Sequence, residues 1–319
     1  MDLLTTALDW HRAGRKVAVA TVIETWGSAP RGVGSLLVID GEGAMEGSVS
    51  GGCVEGAVIM EALDAVQDGK TRLLDYGVSD DEAFAVGLAC GGRIRVLVEP
   101  VGAAIPVSLL EQLVAAITAR TPVAYVTDIH GGNRHIAYAN NFGDRFRLDR
   151  SGIEEDGRTF VAIHNPPLRM IVVGAVHIAQ TLLPMARACG FDPVLVDPRG
   201  AFGSAARFPG ETINEGWPDS AMAQLAPDSR TAVVTLTHDP KLDDPAIQQT
   251  LQTEAFYIGC LGSTRTHEKR VTRLQDAGFD AGSIARIHAP VGLDLGGRAP
   301  AEIAVSIMAQ VIAALRKAT

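Results

Sequence analysis

Two hydrophobic patterns divide this chain. In the N-terminal half, short β-branched and apolar runs at 17–24 and 34–39 predict strands. Between them, Trp26-Gly27-Ser28-Ala29-Pro30-Arg31-Gly32 has the chemistry of a loop, and Asp40-Gly41-Glu42-Gly43 predicts a turn. Val54, Val58, Ala62, Leu63 and Val66 recur at helical spacing. Strands follow at 71–76 and 93–99, a helix at 109–119, and an extended segment at 123–127 with 133–139 and 159–163 able to pair beside it. Asn165-Pro166-Pro167 breaks the chain, so the expected domains are 1–165 and 168–319.

The C-terminal half alternates differently. An apolar run at 168–174 reads as a buried strand, and it leads into a helix reaching about Ala188 and stopped by Gly190. Strands at 193–197, 231–237 and 256–261 alternate with helices near 245–253, 264–277 and 300–317. Strand–helix alternation of this kind predicts a Rossmann-like, doubly wound parallel sheet. The expected fold class is therefore α/β, with a mixed α/β N-terminal domain followed by a Rossmann-like domain.

Composition narrows the function classes. The 319 residues are enough for two sizeable cores, and 47 % hydrophobic with 20 % charged residues is ordinary for a globular protein. A formal charge of −9 disfavours sequence-independent binding to nucleic acid or to an anionic membrane. No apolar run reaches spanning length, and residues 1–16 interrupt an amphipathic pattern with Asp2 and Asp9 where a signal peptide would be apolar. Four cysteines in so long a chain do not make a disulfide framework, and the expected location is the cytoplasm.

One cysteine carries the strongest chemical signal. Cys53 follows Gly51 and Gly52 and precedes the helical pattern, so it is expected at or near a helix N-terminus. Free N–H groups and the positive dipole end favour negative charge there, and glycines permit positive φ and close approach of a ligand. Cys90, before Gly91 and Gly92, echoes this arrangement, and both a turn filler and a second site cysteine remain open for it. Cys189 and Cys260 lie in apolar surroundings and are expected in the core.

The second half offers anion-binding turns. Gly174 after a strand, with Asp197 at the end of the next, matches half of a dinucleotide fingerprint in which the acid meets a ribose hydroxyl. Val176 replaces the middle glycine and Ala179 the third. Gly262 and Ser263 open a helix with Arg265 nearby, which suits a phosphate or, equally, an ordinary N-cap. His238 at a strand end fits a proton carrier or a structural hydrogen-bonder. His267-Glu268-Lys269-Arg270 lacks the second histidine of a zinc-protease helix.

Taken in order, these blocks resemble the XdhC/CoxI family of accessory proteins for molybdenum hydroxylases such as xanthine dehydrogenase. The resemblance runs through Gly27-Ser28-Ala29-Pro30-Arg31, Ser50-Gly51-Gly52-Cys53-Val54-Glu55, Cys90-Gly91-Gly92 and Gly174-Ala175-Val176-His177 with Asp197-Pro198-Arg199. It continues through Tyr257-Ile258-Gly259-Cys260-Leu261-Gly262-Ser263, Pro290-Val291-Gly292-Leu293-Asp294-Leu295-Gly296 and the segment from Ala299 to Ile307. Ser50 stands where many relatives have glycine, and Val176 where they usually carry the second glycine of the turn.

The resemblance implies a molybdenum cofactor-binding chaperone rather than a turnover enzyme. Such a protein holds and protects the cofactor, supports its sulfuration by a cysteine desulfurase and inserts it into an apo molybdenum hydroxylase of the xanthine dehydrogenase type. The cofactor is a pterin with a dithiolene and a phosphate, with or without a nucleotide. It implies Cys53 as the metal-contacting sulfur, Cys90 as the second cysteine, and Arg31, Gly51, Gly52, Glu55, Gly174, Asp197, Gly262, Ser263 and Arg265 as cofactor-binding positions. A homodimer is also implied. The rival expectation is an NAD(P)-dependent oxidoreductase, with Asp197 on the ribose and His238 as acid/base.

Overall fold

The computed structural model describes residues 2–77 and 92–317; Cys90 and Gly91 lie outside the described residues. The chain forms two compact units, Met1–Pro166 and Pro167–Thr319.

The first unit opens with α1 (Leu3–Arg12), capped by Asp2, whose carboxylate accepts from the amides of Leu4 and Thr5. Then come β1 (Val17–Trp26), β2 (Leu36–Asp40), β3 (Met45–Gly47), α2 (Glu55–Asp68), β4 (Arg72–Tyr76) and β5 (Arg93–Pro100). The strands make an antiparallel sheet in the order β3-β2-β1-β5-β4. Alternation along β1 explains the layering. Ala18, Ala20 and Val22 pack with Val54, Val58, Ala62 and Ala65 around α2. Val17, Val19 and Ile23 face the opposite core, with α1 and α3 (Val107–Thr118). The pairing of β1 with β5 is broken by a bulge between Val22 and Glu24.

A second antiparallel sheet completes this unit. Its strands are β6 (Val123–Asp128), β7 (Arg134–Ala137), β8 (Gly152–Ile153) and β9 (Thr159–His164), in the order β7-β6-β9-β8, with α4 (Gly143–Leu148) between β7 and β8. A buried polar cluster ties the two sheets together. Glu99 on β5, 1 % exposed, accepts from the Tyr125 hydroxyl at 2.9 Å and from Arg134 Nε at 2.7 Å. Arg134 Nη2 also reaches Thr71 Oγ1 at 3.0 Å.

The second unit contains β10 (Leu168–Val173), α5 (His177–Ala188), β11 (Phe191–Val196), β12 (Ile213–Asn214), α6 (Pro218–Leu225), β13 (Thr231–Thr235) and α7 (Pro240–Leu251). It ends with β14 (Tyr257–Cys260), α8 (Thr264–Asp276), α9 (Ala281–Ile284), β15 (Ile287–His288) and α10 (Pro300–Arg316). All six strands are parallel, in the order β12-β11-β10-β13-β14-β15. This is the Rossmann order, and its topological switch point lies between β10 and β13. Both sheet faces are covered. Met170 and Val172 pack against α5 and α10, while Ile171 and Val173 meet Ala221, Met222 and Ala246 from α6 and α7.

Several elements differ from the sequence reading. Helix α7 starts at Pro240, not near Pro245, because Asp239 caps it by accepting from the Lys241 amide and Pro240 needs no N–H in the first turn. Strand β11 begins at Phe191, two residues before the expected start at Pro193; the proline is tolerated inside it because β12 pairs only with Leu195 and Val196, which leaves β11 a free edge there. Cys189, expected in the core, is exposed: it is the C-cap of α5, one position past the helix's last residue, Ala188. Cys260 is buried, as expected, and burial pushes its thiol up to about 11. Among the described residues no helix is long and apolar enough to cross a membrane.

Arg134→Met removes the cation from the Glu99 cluster and leaves a buried carboxylate unpaired. Urea denaturation is expected to show a loss of about 3–5 kcal/mol. An unchanged unfolding free energy would show that Arg134 does not hold Glu99.

Candidate functional site

The loop before α2 is folded around a single carboxylate. Glu55, the first residue of α2, is 6 % exposed. Its Oε1 accepts from Ser48 Oγ at 2.7 Å and from the amides of Val49 and Ser50 at 3.2 and 2.9 Å. Its Oε2 accepts from the Ser50 hydroxyl and, at 2.9 Å, from the Gly52 amide. Ser50 Oγ in turn accepts from the Val54 amide at 2.9 Å. Burial pushes the Glu55 carboxyl up, but the Ser50 and Ser48 hydroxyls and the loop amides outweigh it and hold the carboxyl at about 2. Glu55 therefore shapes the loop from inside, with both oxygens engaged by protein donors. The Ser50 hydroxyl takes part in two of these bonds.

This architecture puts Cys53 on the surface. The expected positive φ is present at Gly51 (+75°) and Gly52 (+114°), and Cys53 is exposed. Among the described residues, no non-neighbouring atom lies within 4 Å of where a Cβ on Gly52 or Gly56 would stand, so on that side the lip beside the sulfur is open. Two other motif segments meet here. Pro30 packs 3.6 Å from the Cβ position of Gly51, and a Cβ on Gly92 would collide with the Ser28 carbonyl oxygen. The 28–31 loop, the 50–53 loop and Gly92 thus converge, although they are far apart in sequence. Arg31 is exposed on this loop and makes no hydrogen bond or ion pair among the described residues. At the rim, the Arg93 guanidinium lies over the Trp26 ring, 4.9 Å from its centroid, and pairs with Asp75.

At the switch point of the second unit another carboxylate plays a similar part. Asp197, 1 % exposed, accepts from the Ala175 amide at 2.7 Å, from the Arg199 amide and Nε at 2.9 Å each, and from Arg199 Nη2 at 2.7 Å. Burial raises its pKa, but Arg199 and the Ala175 amide overcome this and leave it lowered. The acid expected on a ribose is thus already bonded to its own turn and to Arg199, which weighs against the nicotinamide expectation. Gly174 takes φ +115°, and Thr237 Cγ2 fills its missing Cβ position at 2.6 Å, so the turns after β10 and β13 touch. Val176 packs its side chain against the core beneath α5.

The turn after β14 begins a helix. Ser263 is the N-cap of α8, and its hydroxyl accepts from the Thr266 amide at 3.2 Å. Gly262 takes φ +137°, and Arg265 is exposed without a partner among the described residues. A cavity of about 480 Å³ opens beside α8, lined by His238, Asp243, Arg265, Lys269 and Arg270 among others. His238 itself takes φ +61°, a conformation few non-glycine residues adopt.

The sequence reading missed Asp243, Lys269 and Arg270. A signal was present: cations at 265, 269 and 273 recur at i+4 spacing, and Arg270 falls on the apolar side of α8 with Leu274. Among the described residues no group of three or more His, Cys, Asp or Glu side chains could hold a metal ion.

Comparison with known proteins adds the context. Residues 170–311 match the model described as the XdhC Rossmann domain, and residues 10–77 match that of the XdhC and CoxI family. The molybdenum cofactor insertion chaperone PaoD of Escherichia coli (strain K12) is 30 % identical over 309 residues, 97 % of this chain and 86 % of that protein. A probable xanthine dehydrogenase subunit of Bacillus subtilis (strain 168) is 26 % identical, over 93 % of this chain and 92 % of that protein. A crystal structure described as a xanthine dehydrogenase from Bacillus halodurans superposes with a TM-score of 0.59 at 25 % identity, covering 99 % of this chain and 96 % of that one.

Glu55→Gln tests how the Cys53 loop is held. The native carboxyl lies near 2, below its ordinary value of 4.5, so its stabilisation is full above pH 4.5 and is lost as pH falls toward 2. The variant is expected to lose about 2 kcal/mol at pH 7. Its stability should also vary less than that of wild type between pH 4.5 and 2, as measured by urea melts at each pH. Equal curves for the two proteins would contradict this role.

Proposed function

Because this chain belongs to the XdhC and CoxI family, we propose that it is a molybdenum cofactor carrier that delivers its cargo to a molybdenum hydroxylase of the xanthine dehydrogenase type. The observation that carries the reading is the convergence of three motif segments on one exposed sulfur. Cys53 stands on an open glycine lip whose shape is fixed from within by Glu55. A cysteine sulfur there is a soft donor suited to a metal that arrives with sulfur ligands of its own.

The other residues have separable roles in this reading. Gly51 and Gly52 let a flat ligand approach the backbone beside the sulfur. Arg31, without a partner among the described residues, offers its guanidinium to an anionic part of the cargo. Glu55 and Asp197 act as positioning residues, because their oxygens are bonded to the turns they shape. In the second unit, Gly262, Ser263 and Arg265 are a separate candidate position for an anionic group. Bound cofactor would supply the metal–dithiolene centre that a cysteine desulfurase sulfurates before insertion. The protein's own part is to hold that centre through an exchangeable cysteine sulfur, Cys53 first and Cys90 second, and to release it to the apo-hydroxylase.

The test is anaerobic equilibrium binding of molybdenum cofactor to wild type and Cys53→Ser, with circular dichroism to verify folding. Binding is expected to weaken at least tenfold, about 1.4 kcal/mol. Unchanged retention by the folded variant would remove Cys53 from the site.

A further inference from the structure

We propose that the cavity beside α8 in the second unit is a phosphate-monoester site, with Arg270 as its buried anchor and Asp243 as its selectivity element. The inference rests on the carrier reading only for the identity of the ester.

The first observation is a guanidinium buried with donors unused. Arg270 is 2 % exposed; its Nη2 donates to the Leu261 carbonyl oxygen at 3.1 Å, while Nε and Nη1 have no partner among the described residues. Buried N–H groups of a cation are rarely left unpaired, because desolvation without an acceptor is costly. The second is a buried carboxylate in the same cavity with a free acceptor. Asp243, 1 % exposed, accepts on Oδ1 from the Thr237 amide at 3.3 Å and hydroxyl at 2.7 Å, while Oδ2 has no partner among the described residues. No hydrogen bond or ion pair joins Asp243 to Arg270, although both line the cavity. The third is unpaired positive charge at the mouth. Arg265 and Lys269 are exposed and have no ion pair among the described residues, whereas Arg273 is engaged by Asp244, with Nη2 at 2.9 Å from Oδ1.

Together these groups specify a ligand. Nε and Nη1 of Arg270, with Arg265 and Lys269, call for an oxyanion that offers several acceptor oxygens. A buried carboxylate beside an anion repels it unless a proton lies between them. A phosphate monoester meets this demand, since its second ionisation lies near neutrality, about 6, and one P–OH can donate to Asp243 Oδ2. Sulfate carries no proton at neutral pH and leaves that acceptor facing a second negative charge. Pterin-borne phosphate and free phosphate share the recognised chemistry.

Calorimetric titration with inorganic phosphate and with sulfate, at matched ionic strength and pH 7, tests the site on the full chain without cofactor. Its result is therefore independent of Cys53. Phosphate is expected to bind at least tenfold tighter than sulfate, and Asp243→Asn to narrow that ratio. Arg265→Gln/Lys269→Gln, changed only at exposed positions, should weaken phosphate at least tenfold while remaining folded, and Arg270→Lys should do so with its charge retained. Equal affinity for the two anions, or phosphate binding unmoved in the folded double variant, would overturn the assignment. Competition separates the sources: phosphate that displaces cofactor from wild type identifies the cofactor's ester as the ligand, and phosphate that binds without displacing it identifies a separate monoester.

Discussion

A carboxylate buried at the start of a helix would ordinarily be read as a cap or a ligand, and Glu55 is neither in the usual sense. It gathers backbone amides and hydroxyls from the residues immediately before it, so the loop wraps around its side chain. The geometry near Cys53 depends on this. With its inner polar groups satisfied, the loop can turn glycines and a sulfur outward, with Pro30 packed beside Gly51. Helix α2 in turn anchors the carboxylate by burying Val58, Ala62 and Ala65 against the first sheet. A strand-and-helix core thereby fixes the position of an exposed thiol several residues away.

The second unit solves a similar problem at its switch point. Asp197 clamps the Gly174–Val176 turn from the end of the neighbouring strand and draws Arg199 over itself. The same residue type at the same place in a dinucleotide-binding sheet would be free to meet a sugar. Here the fold is shared with nucleotide-binding proteins while the acid serves the turn, so strand order alone does not specify a ligand. The pocket chemistry shifts along the sheet toward α7 and α8, where unused donors and acceptors remain.

Much of this was legible in the sequence. Alternating and continuous apolar runs located the main strands, and Gly51 and Gly52 announced a turn that only positive φ allows. Their neighbour Cys53 was therefore found as an exposed group. The short strands β3, β8, β12 and β15 were not, because two or three residues carry no periodicity and are held by pairing with longer strands. The roles of Glu55, Asp197 and Arg270 also lay beyond the sequence, for a common reason. Whether a charged side chain is engaged or free depends on partners that tertiary packing supplies. Glu55 and Asp197 turned out fully engaged, while Arg270, read only as part of a failed metal motif, kept unused donors inside the fold.

The bulge in β1 makes length a constraint on this unit in its own right. Before Val22 each residue of β1 faces β5 in one register, and from Glu24 onward the count is displaced by one, which sets Trp26 opposite Arg93. The loop that follows, carrying Ser28, Pro30 and Arg31, inherits its starting point from that displaced count. Adding or deleting one residue in β1 would rotate the strand's end by half a turn and point the loop to the other face of the sheet. Substitutions in the loop can be absorbed where side chains are exposed, but its arithmetic cannot. Divergence among such chains should therefore accumulate in residue identity between β1 and β2, while the spacing from the bulge to the loop stays constant.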